Sequence, residues 1–358
     1  MPLFSILLRL ACAALLACAS AAWAQPPLKL SIVGGLASGN QFAQQEQPFW
    51  TQELPRLSGG RYQADIVPFD RAGVPGPEML RLMQLGVVPF GTVLMASLPA
   101  QYPQYTVADL PGLNADVGQL RANVAALRPY LEKSLREQHG IQLLALYAYP
   151  PQVVFCKQPL ARLADLAGRR IRVSSAAQAD FVEALKAEPV LIEFGKTVRG
   201  IEAGRIECAL TGAMSGYTLG LDSVTQYLYP LSVNWGLALF GANLAAWNGL
   251  PPDLRALLRR ELPKLESAIW ADAERYAAEG LACASGGAGC HLPRKGPPGR
   301  MTVVPVSPQD GQLRSQIFET VVLRRWLQRC TVDCVALWNQ TIGAARGVLL
   351  PASAASAK

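Results

Sequence analysis

The chain has 358 residues, 51% hydrophobic and 16% charged, and 33 Lys+Arg against 26 Asp+Glu leave a formal charge of +7 with two histidines. Disorder requires low hydrophobicity with high charge, and collagen requires glycine at every third position. The chain is therefore globular, with material for one large or two medium domains. His139 and His291 leave little room for histidine catalysis or a histidine-rich metal site, so composition points away from an enzyme.

Arg9 precedes an apolar run from Leu10 to Ala22, and Ala22-Trp23-Ala24 has the small-any-small pattern of a signal-peptidase site. Residues 1–24 thus read as an export signal, the mature chain as starting at Gln25, and the compartment as the periplasm. The run is shorter than the roughly 20 apolar residues that span a bilayer. An alternative takes Leu15-Leu16-Ala17-Cys18 as a lipobox, with anchoring through an acylated Cys18.

Leu28 to Val33 reads as a strand, followed by Gly34-Gly35 and a helical pattern carrying Phe42, Phe49, Trp50 and Leu54. Tyr62 to Phe69 is a second strand. Pro75-Gly76-Pro77 opens a helix that closes at Gly86, and Phe90 to Met95 is a third strand. This alternation predicts a parallel sheet. A longer helix from Ala115 to His139 leads into Ile141 to Cys156, interrupted by Tyr149-Pro150-Pro151, a segment long enough to leave one domain and enter another. The alternation resumes with a helix around Leu160 to Leu166, a strand Arg170 to Ser174, a helix Ala176 to Leu185, a strand Pro189 to Phe194, a helix Thr197 to Ala203 and a strand Ile206 to Leu210. Asn234 to Ala245 reads as one further strand. Pro251 to Cys283 is a long amphipathic helix with Leu254, Leu257, Leu258, Leu262, Leu265 and Ile269 at helical spacing. The Gly/Pro-rich stretch 285–299 is a loop.

Cys12 and Cys18 leave with the signal, and Cys156, Cys208, Cys283, Cys290, Cys330 and Cys334 remain, an even count that suits disulfides in an oxidising compartment. Several connectivities are open. The local choice pairs Cys283 with Cys290 around Gly286-Gly287, Cys330 with Cys334, and Cys156 with Cys208. Residues i and i+4 on a helix hold their Cβ atoms about 5–6 Å apart, beyond the span of about 3.5–4.5 Å in a disulfide, so Cys330 and Cys334 must distort a helical turn or pair elsewhere. A zinc site from Cys283, Cys290, His291, Cys330 and Cys334 is the competing reading.

Arg255, Arg259, Arg260, Arg324 and Arg325 are scattered over helix faces without interleaved aromatics, which argues against nucleic acid as a partner. Gly34, Gly35 and Gly39 lack G-x-G-x-x-G spacing, and no Gly-Lys-Ser/Thr loop is present, so no cofactor is expected. Asp109, Asp116 and Asp222 form no metal cluster in sequence. Ser215 precedes Gly216 but has no histidine in a partner position, and no Gly-x-Ser-x-Gly elbow occurs.

Asp165-Leu166-Ala167-Gly168-Arg169-Arg170-Ile171-Arg172-Val173, then Pro189-Val190, then Gly204-Arg205-Ile206-Glu207, resembles the central block of the DctP-like family, the periplasmic solute-binding subunits of TRAP transporters. Gly59-Gly60, Pro68, Gly73, Pro75, Glu78, the 98–113 region and Leu250-Pro251-Pro252-Asp253-Leu254 fit as well, so the resemblance covers nearly the whole mature chain. The segment 330–339, with Trp338-Asn339, looks like one branch of that family. The resemblance implies an α/β, two-lobed periplasmic-binding-protein-like fold, with a ligand cleft between the lobes and a long helix across both. Residues 25–149 plus 236–276 would form lobe I, 150–235 plus 277–350 lobe II, and 351–358 a flexible tail. It also implies an organic acid as ligand and small and large TRAP membrane subunits as partners. A sensing subunit of a signalling system, using the same cleft, is the alternative, and a hydrolase or lyase a more distant one.

Family members hold the ligand carboxylate with an arginine that falls here at Arg172. A guanidinium offers a planar fork that engages both oxygens of a carboxylate, and in open α/β sheets ligands sit beyond the carboxyl ends of strands. The bland alternative pairs Arg172 with a structural acid such as Glu183 or Glu193. Arg170 shares its in-strand phase, and the family pattern selects Arg172. Thr211 falls where the family often has an asparagine. Tyr217, Asn234 and Trp235 follow strand ends and either wall the cleft or pack the lobes. Asn40 and Phe42 follow the first strand at a helix start, where Asn40 either meets an anion or caps the helix. Arg71, after the second strand, either adds a positive charge to the cleft or faces solvent. Phe42, Tyr217 and Trp235 favour an apolar or aromatic acid over a highly charged dicarboxylate.

Overall fold

The structure, a computed structural model, describes residues 26–37, 40–98, 102–292, 299–330, 332–352 and 354. The expected signal sequence with Arg9, Cys12, Cys18 and the Ala22-Trp23-Ala24 site, and also Gly39 and most of the expected tail, lie outside the described residues. Among the described residues, no helix is long and apolar enough to cross a membrane.

The strands are β1 (Leu28–Gly34), β2 (Tyr62–Pro68), β3 (Phe90–Leu94), β4 (Ile141–Ala148), β5 (Gln152–Cys156), β6 (Arg170–Val173), β7 (Glu188–Leu191), β8 (Cys208–Gly212), β9 (Tyr227–Asn234), β10 (Leu237–Asn243) and β11 (Thr302–Val303). They form two sheets, ordered β2-β1-β3-β10-β4 and β11-β9-β5-β8-β6-β7. β1 runs parallel to β2 and β3, as the strand–helix alternation predicts, and β6 runs parallel to β7 and β8. β10 is antiparallel to β3 and β4, and β5 to β8 and β9, because these strands carry the chain between the sheets.

The helices that place the site are α1 (Val117–His139), α2 (Ala176–Ala184), α3 (Ala213–Leu219), α4 (Pro252–Ser285), α5 (Leu323–Arg329) and α6 (Cys334–Gln340). α1 starts where the Asp116 side chain accepts from the Gln119 amide at 2.8 Å, and it stops at Gly140, whose φ of 58° a glycine adopts without strain. α4 touches both halves. Its first turns bury Leu254, Leu258, Leu262 and Ile269 against Trp50, Phe240 and Trp247 under the first sheet, each leucine worth about 1.5–3 kcal/mol of burial. Further along, Tyr276 and Cys283 pack on Met214 and Tyr217 of α3, beside the second sheet.

Several elements differ from expectation. The strand expected over 234–245 is shorter, β10 at Leu237–Asn243, and β9 precedes it in a stretch where no strand was expected; the chain crosses between sheets at Trp235-Gly236, where the Tyr149 amide donates to the Gly236 carbonyl at 2.9 Å. The segment 141–156, by contrast, divides into β4 and β5 at the Tyr149-Pro150-Pro151 interruption where the sequence placed the passage. The helix after β1 is wound in wide turns at Phe42–Glu46 and Phe49–Glu53, with i→i+5 bonds from Gln47 to Phe42 and from Leu54 to Phe49, around Pro48, which has no amide proton. The helix expected around 160–166 shrinks to the turn Leu163–Leu166. β7 stops at Leu191, short of the expected Phe194, and β11 follows a stretch that reads as loop.

All three disulfides join the locally chosen partners: Cys156–Cys208, Cys283–Cys290 and Cys330–Cys334. Cys330 adopts extended backbone between the end of α5 and the start of α6, so the geometric objection to an i, i+4 pair within one helix does not arise. With these thiols bonded to each other, the competing zinc reading loses its thiolate ligands.

At the crossing, Asp109 joins the halves. Its carboxylate accepts from the Trp235 amide at 2.8 Å and from Asn234 Nδ2 at 3.0 Å, yet desolvation outweighs both bonds and pushes its pKa up to about 7. The folded protein thus holds this proton more tightly than the unfolded chain. The stabilising contribution is complete below the ordinary aspartate value of about 4 and is lost as pH rises through about 7. The Tm of the wild type, minus that of Asp109→Asn, should fall as pH is raised from about 4 to about 8; a flat difference would refute the assignment.

Gly280 of α4 lies where an added Cβ would stand 2.2 Å from the Met214 amide nitrogen of α3. Gly280→Ala should cost about 1–3 kcal/mol by overpacking, despite the better helix propensity of alanine. A denaturant titration showing no loss would mean that α4 and α3 are not pressed together there.

Candidate functional site

β6 alternates Ile171 and Val173 with Arg170 and Arg172, and only Arg172 turns its charge into the interior, at 4% exposure. Its Nε donates to the Ile192 carbonyl and its Nη1 to the Leu210 carbonyl, both at 2.9 Å, and its Cζ stands 6.0 Å from the centre of the Phe194 ring. The Nη2 limb has no hydrogen bond among the described residues. The two acids that could have neutralised it are engaged elsewhere, Glu183 with Arg325 and Glu193 with Lys196. Arg170, by contrast, pairs with Glu207, and Arg169 donates to the carbonyls of Gln158 and Pro159 at the surface. Burial without a counter-charge lowers the Arg172 pKa to about 10, which leaves a desolvated guanidinium that is still protonated at neutral pH.

Thr211 lies buried on β8, directly after the Leu210 carbonyl that holds Arg172, and opposite Val153 of β5. Asn234 ends β9. Its Oδ1 accepts from Gln178 Nε2 at 2.8 Å while its Nδ2 serves Asp109, and Gln178 also donates to Gln152 Oε1 and accepts from the Ser174 amide. Through Gln178, the residues just after β6 are tied to the crossing. Trp235 is buried in the central core, with its Nε1 unpartnered. Tyr217 packs with Met214 and Tyr276, and Phe42 is buried beside Gly34. Arg71 ends the exposed turn Phe69–Arg71. Phe42, Tyr217 and Trp235 are each buried, and among the described residues no contact joins Arg71 to the other candidates.

Two openings flank the crossing. A cleft, ≈ 700 Å³ with its open solvent mouth included, is lined by Met95, Asp109, Ser175, Asn234 and Trp326 among others, and a smaller opening, ≈ 360 Å³ on the same measure, by Asn40, Gln41, Tyr149, Pro150, Ser215 and Tyr276 among others. Arg172 lines neither. The strand that it bonds, β8, runs on through Gly212 toward Ser215 of the smaller opening.

The Gly34-Gly35 pair has a local purpose that composition hides. A Cβ on Gly35 would stand 2.7 Å from Glu46 Oε1, and the Gly35 amide donates to Glu46 Oε2 at 2.8 Å. The glycines admit a carboxyl group against the backbone. Burial raises the Glu46 pKa against the opposing bonds from Gln41 and Gly35. Gln41, Glu46, Tyr149 and Gln178 all escaped the sequence reading. Gln41 and Glu46 do not stand out in the sequence, because Gln44, Gln45, Gln47, Thr51, Gln52 and Glu53 around them are polar too.

Residues 34–291 match the family model described as bacterial extracellular solute-binding protein, family 7, DctP. The solute-binding protein NAS141_03721 of Sulfitobacter sp. (strain NAS-14.1) is 26% identical over 224 residues, 58% of this chain, and the match spans 64% of that relative's length. Among solved structures, DctP7 of Bordetella pertussis, an extracytoplasmic solute receptor binding pyroglutamic acid, is 24% identical with a TM-score of 0.76 over 87% of this chain and 99% of its own. DctP6 of the same organism, described in the same terms, is 19% identical with a TM-score of 0.78 over 89% and 100%. These two likenesses establish the two-lobed α/β fold. With the family model spanning well over half of its residues, the chain belongs to the DctP family, the bacterial extracellular solute-binding proteins, family 7.

Proposed function

We propose that the protein is the periplasmic receptor of a TRAP-type transporter, which captures an organic acid between two lobes and delivers it to small and large membrane subunits driven by an ion gradient. The observation that carries this reading is Arg172, a guanidinium at 4% exposure whose hydrogen bonds go to two backbone carbonyls and to no acid among the described residues. A carboxylate at the Nη2 limb supplies the missing counter-charge through charge-assisted bonds. The pyroglutamate described for the two Bordetella receptors is a carboxylate of this kind.

The lobes follow the sheets: 25–149 with 236–276 as one, and 150–235 with 277–350 as the other, hinged at 149–151, at 235–236 and along α4. A ligand that touches both lobes stabilises the closed form, and the closed form docks on the membrane subunits. The protein binds its ligand without turnover, and it reaches the periplasm through the export signal read at 1–24.

A thermal-shift screen of mono-, di- and keto-acids should find a stabilising carboxylate, since a ligand at 100 times its Kd adds about 2.7 kcal/mol. Arg172→Ala should then weaken that ligand by about 100-fold or more by calorimetry while the far-UV spectrum stays native, because losing one partner of a desolvated charge pair costs about 2–5 kcal/mol. Arg172→Lys should also bind more weakly, as an ammonium lacks the planar fork. Unchanged affinity in Arg172→Ala would remove the guanidinium from the site.

A further inference from the structure

We propose that the C-terminal helices form a strap that holds both lobes along one side of the larger cleft and limits how far they part. The inference rests on the division into lobes proposed above and not on Arg172.

By chain order the segment after α4 belongs to the second lobe, and its first contacts lie there. The helix Pro308–Ile317 is fixed through Asp310, which accepts from the Leu163 amide at 3.2 Å and from the Tyr229 hydroxyl. α5 is fixed on α2, where Asp180 takes both Arg325 and Arg329, and Glu183 takes Arg325 as well. Helices that only completed the core of the second lobe would end their contacts here.

The same helices hold the first lobe too. Arg314 Nη1 donates to the Ser232 carbonyl of β9 at 3.0 Å and to the Asn114 carbonyl, in the first lobe, at 3.3 Å. Gly112 is pressed so closely on this helix that a Cβ would stand 2.6 Å from the Arg314 carbonyl oxygen and 2.7 Å from Phe318 Cβ. From α5, the Trp326 indole donates to the Pro103 carbonyl at 2.8 Å, and Trp326 is 1% exposed. α6 lies against the turn Pro103–Asp109 as well. The last helix, Ile342–Arg346, sits on α1, which itself packs on β4 of the first sheet, and there Arg346 Nη1 reaches Gln119 Oε1 at 3.5 Å. The Cys330–Cys334 disulfide ties α5 to α6, so the two grips are joined.

The strap runs at the edge of the opening. Trp326 and Arg329 line the larger cleft together with Tyr102 and Pro103 from the first lobe and Ser175, at the start of α2, from the second. Parting the lobes on this side takes the Trp326 and Arg314 donors off first-lobe carbonyls. It also opens the continuous core that holds Val107, Leu110, Trp326 and Trp338. Domains move freely against one another unless the surface between them is large and apolar, and on this side it is apolar.

The test needs no ligand. On the chain without residues 1–24, Val67→Cys and Leu191→Cys carry spin labels near the carboxyl ends of β2 and β7, the outer strands of the two sheets, where both native side chains are exposed. Inter-label distances by pulsed electron resonance are compared with and without two further changes. Trp326→Phe removes the donor to the first lobe and keeps an aromatic ring, while Arg325→Gln with Arg329→Gln weakens the grip on α2 and leaves the core filled. Each should lengthen and broaden the distance distribution. The Gly112 amide, which donates across the lobes to the Val233 carbonyl at 2.7 Å, should exchange its hydrogen about 2- to 10-fold faster, the range that loss of one hydrogen bond allows, while the amides of β5 keep their rates. A distribution unchanged by both changes, or exchange that rises in β5 as much as at Gly112, overturns the strap, because the helices then serve the fold alone. If Trp326→Phe does not fold, the arginine pair decides. The strap and the receptor reading fail separately: unchanged distances remove the strap and leave binding through Arg172 as it was, whereas a wild type that binds no acid removes the receptor reading and leaves a measured lengthening in force.

Discussion

An arginine held in the interior by carbonyl oxygens alone is the constraint around which this molecule is arranged. Burying an isolated charge is expensive, and proteins usually offset the cost with an acid. Here β6, β7 and β8 are set side by side so that the carbonyls of Ile192 and Leu210 converge on Arg172, and the Phe194 ring closes over it. Partial charges on two oxygens soften the penalty without cancelling it, and the lowered pKa of Arg172 is the residue of that imbalance.

The site is built into the crossing between the halves. Gln178 stands just after β6, grips Ser174, and reaches both Gln152 at the start of β5 and Asn234 at the end of β9. Asn234 passes the chain of hydrogen bonds on to Asp109. A shift of the segment that carries Arg172 is therefore felt at both strand crossings. On the far side of α2, Asp180 is clamped by Arg325 and Arg329 of α5, and the Cys330–Cys334 disulfide joins α5 to α6. The C-terminal helices brace the element that follows the arginine, which gives that part of the chain a mechanical purpose.

Much of this could be read in advance where local rules govern. Strands and helices follow hydrophobic period, Gly140 and Asp116 mark the ends of α1, and the leucines of α4 announce its buried face. The disulfides were legible because two of them close short loops. The roles of the aromatic residues were less legible, for a physical reason. Phe42, Tyr217 and Trp235 are apolar enough to serve either a cleft wall or a core, and their neighbours in space, Gly34, Tyr276 and the central core, are far off in sequence. Gln41 and Glu46 were invisible for the same reason. A polar side chain in a helical pattern reads as exposed until another segment, here Gly34-Gly35, comes up to bury it.

What the amino-acid order carried is most of the elements, the parallel strand pairs and, among several open connectivities, the local pairing of the cysteines. Each depends on spacing along the chain, which is what a sequence records. Only the tertiary structure decided that Arg172 bonds no acid among the described residues, and that Asp109 is desolvated at the crossing, where burial raises its pKa. These are matters of desolvation and of unpaired atoms, and both arise from contacts between segments that meet only once the chain has folded.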